Sequence, residues 1–143
     1  MTGKNILAGK DEGATLRVVT DTVRVLAAGS DTGEAYEVFE FTGPRDSGPP
    51  THQHPWNEAY VIIDGEVEMT VADRKMLATA VCFVNARCEL PATCFNFRKM
   101  LATAVCFVNA PAGEWHAYRI ASKSARFILN SEPGGRRQFL HRA

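Results

Sequence analysis

Three histidines and one glutamate have the spacing for chemistry. His52 and His54 stand two residues apart in Gly48-Pro-Pro-Thr-His-Gln-His-Pro-Trp-Asn-Glu-Ala-Tyr-Val-Ile-Ile-Asp-Gly65. On an extended strand, residues i and i+2 project from one face, so two imidazoles placed this way can share one metal ion. A short turn at Pro55-Trp56-Asn57 then returns the chain, and Glu58 opens the next strand. Glu58, Tyr60 and Ile62 share a face by strand parity, which aims the carboxylate where the histidines point. A third imidazole, His116, follows the tight turn Pro111-Ala-Gly-Glu-Trp115. Imidazole and carboxylate donors suit Fe, Mn, Ni, Co, Cu or Zn, and spacing does not choose among them. A lone His-x-His would be an ordinary polar loop. Its specificity comes from Glu58 and the later Pro-x-Gly-x2-His.

The elements that must position these groups read as strands. Thr15–Thr20, Thr22–Ala27 and Glu34–Thr42 are rich in β-branched and aromatic residues. Gly43–Pro50, GPRDSGPP, reads as a loop, because its prolines cannot serve a central strand. His52–Asp64 holds strand residues around the Pro55–Asn57 turn. Glu66–Val71 alternates, with Val67, Met69 and Val71 on one face. Val105–Asn109, His116–Ile120 and Ala125–Asn130 are further strands, and Arg136–Arg142 reads as a short helix or an extended end. The arm Met1–Gly13 should be loosely held. Many short strands with frequent turn signals predict an all-β sandwich or barrel. Tyr60, Ile62 and Tyr118 share the face of the proposed ligands; they either contact a substrate or fill the core. Trp56 and Trp115 read as packing aromatics, and His141 as solvated.

Part of the chain occurs twice. Arg74–Ala86 and Arg98–Ala110 both read RKMLATAVCFVNA, thirteen identical positions at an offset of 24. Two copies are too few for a repeat architecture, so one segment has been duplicated within a single domain spanning 1–143, its barrel at about 14–140. The two copies are expected to compete for one strand slot before Pro111, with a lean to the second copy, whose junction places His116. Cys82 and Cys106 are equivalent positions in the copies, while Cys88 and Cys94 lie between them. Their spacing fits no paired zinc-ligand pattern, and free thiols in a reducing compartment are expected.

His-x-His-x3-Glu-x6-Gly followed by Pro-x-Gly-x2-His resembles the two motifs of the cupins, small antiparallel barrels of jelly-roll type. The flanks Leu26-AAGSDTGEAYEVFEFTGPRDSGPP and Asn130-SEPGGRRQFL are similar to the quercetinase-like subgroup of single-domain cupins. The resemblance covers about Thr15–Leu140 outside the duplicated part. It implies one divalent transition metal held by His52, His54, Glu58 and His116, with Glu58 also able to act as a catalytic proton acceptor. It implies a small-molecule ligand or substrate and a homodimer; Tyr60, Ile62 and Tyr118 are its candidate contacts by strand parity alone. The sequence departs from the family at Ile120, where the second motif often has Asn, and at Ala80-Val81 and Ala104-Val105, where a Gly-Asp turn is usual. The leading function is a small oxygenase acting on an aromatic or enol-like compound. The alternatives are a cupin that binds without turnover and a metal-dependent isomerase or lyase.

Composition limits the remaining choices. The 143 residues are 45% hydrophobic and 22% charged, which suits a packed core rather than disorder. Sixteen basic residues balance sixteen acidic ones, leaving no electrostatic case for nucleic acid or an anionic membrane surface. No apolar run reaches the roughly 20 residues of a membrane span, and no signal peptide is read at Met1–Asp11, so a cytoplasmic protein is expected.

Overall fold

A computed structural model describes residues 3–80 and 106–133. Nine strands and one short helix follow in order. They are β1 Thr15–Val18, β2 Asp21–Ala27, α1 Gly29–Thr32, β3 Glu37–Pro44, β4 Glu58–Asp64, β5 Glu66–Val71, β6 Arg74–Thr79, β7 Phe107–Ala110, β8 His116–Ile120 and β9 Ser124–Ser131. They form a six-stranded sheet, β1-β2-β3-β9-β4-β7, and a three-stranded sheet, β6-β5-β8. All of the pairings are antiparallel. The all-β jelly-roll expectation therefore holds. Among the described residues no helix is long and apolar enough to cross a membrane.

Strand alternation builds the core. On β9, Ala125, Phe127 and Leu129 are buried while Ser124, Arg126 and Asn130 are exposed. β3 contributes Phe39 and Phe41, β5 Val67 and Met69, and β8 Tyr118 and Ile120. Phe41 stacks on Phe127 with ring centres 5.2 Å apart, and Tyr118 meets Phe127 edge-on at 5.0 Å. Burying each such ring contributes roughly 2–3 kcal/mol, and here the rings also tie the two sheets together.

Several expectations need correction. β3 runs through Gly43 and Pro44, which pair with Ala125 and Ser124. Pro44 is tolerated because it is the strand's last residue. The arm before Thr15 is tied down rather than loose. The Lys4 N–H donates to the Asp31 carbonyl at 2.7 Å, and Arg24 Nη1 donates to the Gly9 and Glu12 carbonyls at 3.0 and 2.9 Å. His52 and His54 lie outside the strands; His52 joins an isolated bridge to His116. Pro50 and Pro55 bracket this stretch and lack the N–H groups a ladder requires.

The Gly43–Pro50 loop nevertheless follows the free edge of β8. The Asp46 N–H donates to the Ile120 carbonyl, the Ile120 N–H to the Ser47 carbonyl, and the His52 N–H to the His116 carbonyl. Between those bonds Gly48 crosses the backbone of Tyr118 at φ 143, where an added Cβ would lie 2.0 Å from the Tyr118 carbonyl oxygen. Both the conformation and the space exclude a side chain there. Gly48→Ala should therefore cost roughly 2–4 kcal/mol, read as a lowered urea midpoint with an unchanged slope.

The duplicated segment does not supply one whole copy to one slot. The first half of copy one, RKMLAT, is β6 on the edge of the small sheet. The last residues of copy two, FVNA, are β7 on the edge of the large sheet. Among the described residues the segment thus fills two strand slots, in two different sheets, where one slot was expected. The Ala80 N–H reaches the Gly65 carbonyl, and the Cys106 carbonyl accepts from Ile62, so both ends of the described chain meet one β4–β5 hairpin. Cys106 is buried in the core. Cys82, Cys88, Cys94, His141, Arg136–Arg142 and the remainder of both copies lie outside the described residues. Removing any window of 24 residues that begins between 74 and 87 yields the same chain, with both strands intact. That shortened protein is expected to keep its strand-rich circular dichroism and a cooperative melt. Loss of either would mean that the insertion is integral to the barrel.

Candidate metal centre

The two motifs meet through backbone bonds. The His52 N–H donates to the His116 carbonyl at 3.0 Å, and the His116 N–H returns to the His52 carbonyl at 2.8 Å. The Gly113 N–H donates to the His54 carbonyl at 2.8 Å, and the Ala112 N–H to Asn57 Oδ1 at 3.0 Å. Asn57 is itself held by Glu132, through its side-chain amide at 2.8 Å and its backbone N–H at 3.0 Å. The turn of each motif is thus stapled to the other before any side chain is considered.

One ligand-capable atom from each of His52, His54 and His116 lies within 4.8 Å of the other two. His54 and His116 are buried and His52 is half-buried. Each ring has a carbonyl oxygen beside its Nδ1: Pro50 at 2.9 Å for His52, Trp56 at 2.9 Å for His54 and Glu114 at 2.8 Å for His116. A carbonyl only accepts, so each Nδ1 must carry the proton and each Nε2 is left with its lone pair. This is the outer hydrogen bonding that fixes metal-binding histidines in one tautomer.

Glu58 completes the cluster. Its Oε1 lies 3.2 Å from His54 Nε2, and its Oε2 lies 3.4 Å from His116 Nε2. With the protons on Nδ1, these are lone pairs facing lone pairs, and both Nε2 atoms are buried without a hydrogen bond. Buried atoms of this kind cost roughly 1–3 kcal/mol each. A positive charge among them removes the cost, whether a proton on an imidazole or a divalent cation. The donor set and these orphaned atoms fit a metal.

The titration directions describe the first of these ways to remove the cost, a proton shared between Nε2 and the carboxylate. Burial raises the Glu58 carboxyl, yet contacts with His116, His54 and the Tyr60 hydroxyl outweigh it and hold the group below the ordinary carboxylate range. Burial lowers His116, but Glu58 and the Glu114 carbonyl raise it further. His52 is lowered, first by burial and then by the neighbouring His116, against the Pro50 carbonyl. The cluster keeps a carboxylate ionised and attracts positive charge.

The other expected site residues divide. The Tyr60 hydroxyl donates to Glu58 Oε2 at 2.5 Å, and Tyr118 donates to Asp21 Oδ2 at 2.7 Å. Both tyrosines line a cavity of about 380 Å³ that opens above His52, His54 and Glu58. Ile62 does not line it. One pleat beyond Tyr60 on β4, it is 0% exposed and packed in the core, the alternative that strand parity left open for it. Trp56, read as a packing aromatic, does pack, and Asp21 alone went unrecognised in the sequence. Trp56 lies flat on His54, ring centres 4.2 Å apart, with its indole N–H 3.4 Å from Glu58 Oε1. Asp21 is buried on the cavity wall. Its signal was a carboxylate sharing the inward parity of Val23 on β2.

No protein-family model matches the sequence, and no curated protein matches it. Solved structures do match its shape. KdgF from Halomonas sp. superposes with a TM-score of 0.65 at 13% identity, covering 92% of this chain and 94% of that one. An RmlC-like cupin from Shewanella frigidimarina gives 0.67 at 10% identity, covering 94% and 96%. Bacillus subtilis oxalate decarboxylase, described with Mn(II) centres, gives 0.61 at 14% identity, with 94% of this chain spanning 31% of that one. The chain has the cupin fold, and its histidine cluster could hold a metal.

His54→Ala and His116→Ala should each weaken uptake of Mn(II) or Zn(II) by roughly 100-fold or more, measured by calorimetry and elemental analysis. Unchanged uptake in both variants would remove the cluster from consideration.

Proposed function

We propose that this protein is a metal-dependent enzyme in which His52, His54, Glu58 and His116 hold one divalent transition metal, and that it acts as a small oxygenase on an aromatic or enol-like substrate. The observation that carries the reading is the convergence of three imidazole lone pairs and one ionised carboxylate beneath a cavity walled by Phe41, Tyr60, Tyr118 and Leu129. A divalent metal held there would supply Lewis acidity toward a substrate oxygen and O2.

The chain's own residues supply the rest. The Nδ1–carbonyl bonds orient the rings. Trp56 and Tyr60 position Glu58 from either oxygen. The apolar wall limits water around the substrate, which strengthens charge interactions inside. Among the described residues Glu58 is the one carboxylate in contact with the histidines, and the proton of a bound phenol or enol would move to one of its oxygens. That transfer requires Glu58 to loosen its contacts with His54 and His116, because a carboxyl held this acidic is a weak base. The same observation favours the second reading, a cupin that retains a small molecule without turnover. An isomerase or lyase would use these ligands without O2. The homodimer and the cytoplasmic setting stay part of the proposal.

The deciding experiment loads the purified protein with Fe(II), Mn(II) or Ni(II) and follows oxygen consumption with flavonols and catechols. Metal-dependent oxygen uptake that disappears in Glu58→Gln is expected. Metal uptake with tight ligand retention and no consumption would select the binding module instead.

A further inference from the structure

The buried polar groups of the cavity share one property beyond the metal centre. Glu58 on β4 is followed two residues later by Tyr60, and His116 on β8 is followed two residues later by Tyr118. Strand parity puts each tyrosine beside its proposed ligand. Tyr60 turns its hydroxyl back onto Glu58, whereas Tyr118 turns away to Asp21. Both phenolic protons are therefore spent on carboxylates. What Tyr60, Tyr118, Glu58 and Asp21 still present is acceptors alone.

Asp21 is placed for this role. Val18 pairs with Asp21 in the β1–β2 register, so a two-residue turn at Val19-Thr20 leaves the carboxylate as the first side chain of β2. Asp21 is 4% exposed and lines the cavity. Its Oδ1 is buried against Gly43 with no hydrogen-bond partner among the described residues, so Asp21 acts on a ligand through the Tyr118 oxygen that it orients and through its charge. Gly43 makes room for it: a Cβ there would stand 2.2 Å from Oδ1 and 2.5 Å from Ser47 Oγ. β2 is separated from β4 by β3 and β9, roughly 14 Å along the sheet at the usual strand spacing. The cavity thus has two carboxylates on well-separated strands, one among the histidines and one apart from them.

We propose that Asp21, with the Tyr118 oxygen it orients, is a specificity-determining residue that selects a ligand carrying a hydrogen-bond donor, such as a hydroxyl, away from the group that meets the metal centre. A ligand with a second carboxylate at that place is rejected, because it would bring an anion against a buried anion. This rests on the metal-site reading above.

The test uses the full chain loaded with Zn(II), which is redox-inert, and titrates three size-matched probes by calorimetry: 4-hydroxybenzoate, benzoate and terephthalate. The wild type should bind 4-hydroxybenzoate roughly tenfold more tightly than benzoate, the value of one hydrogen bond to a charged group, with terephthalate the weakest. Asp21→Asn supplies an amide donor, so terephthalate should rise to match or exceed 4-hydroxybenzoate. Equal binding of the three probes by the wild type overturns the inference, and so does an unchanged order in a folded, zinc-loaded Asp21→Asn. Should that variant fail to fold, the wild-type order alone decides. Failure of the wild type to take up zinc is a separate result, which removes the metal reading and this inference together.

Discussion

The reciprocal backbone bonds between His52 and His116 are the constraint on which the site depends. They join a proline-bracketed segment to the free edge of β8, and so bring two motifs more than sixty residues apart in sequence into one register. Backbone bonds suit this task because they do not vary with side-chain rotamer. Once the bridge is made, strand parity alone directs His116 and Tyr118 inward from β8, and the turn through Asn57 directs Glu58 and Tyr60 inward from β4. Edge-on contacts of Tyr118 with Phe41 and Phe127 join the small sheet to the large one behind them. Loss of that packing would separate the three histidines from Glu58 even with all four side chains still present.

The cluster also shows how a fold can store electrostatic demand. Three carbonyl oxygens settle where the imidazole protons reside, and that choice leaves lone pairs opposed to a carboxylate in a buried place. A site so arranged does not relax by rotating a ring, since each ring would exchange a good hydrogen bond for a poor one. It relaxes by acquiring positive charge. Such preorganisation, set by neighbours that never touch the ligand, separates a binding site from a chance collection of polar residues.

Much of this was legible in the sequence. The period-two alternation of Glu66–Val71 marked β5, and the spacing of His52, His54, Glu58 and His116 marked the cluster, because side-chain parity on a strand is a local property. Long-range pairing was not legible. Nothing local says that GPRDSGPP will run beside β8, that Pro44 will end a central strand, or that the arm before Thr15 will be caught by Arg24. Ile62 and Tyr60 have the same parity, and only the depth of each along β4 separates a core residue from a cavity wall. Asp21 was hidden for the same reason. Its partner Tyr118 is 97 residues away, so its inward parity had no local counterpart to give it meaning.

The division of the duplicated segment between two sheets has a consequence for how substitutions should be interpreted. The described strands draw on different parts of the two copies. Ala78 is fully buried in β6, while Ala102, its twin, belongs to no described strand. Val108 lies in the core on β7, while its twin Val84 belongs to none. The described barrel takes β6 from the head of one copy and β7 from the tail of the other. A change in the first strand therefore acts on the edge of the small sheet, and the same kind of change in the second acts on the edge of the large one.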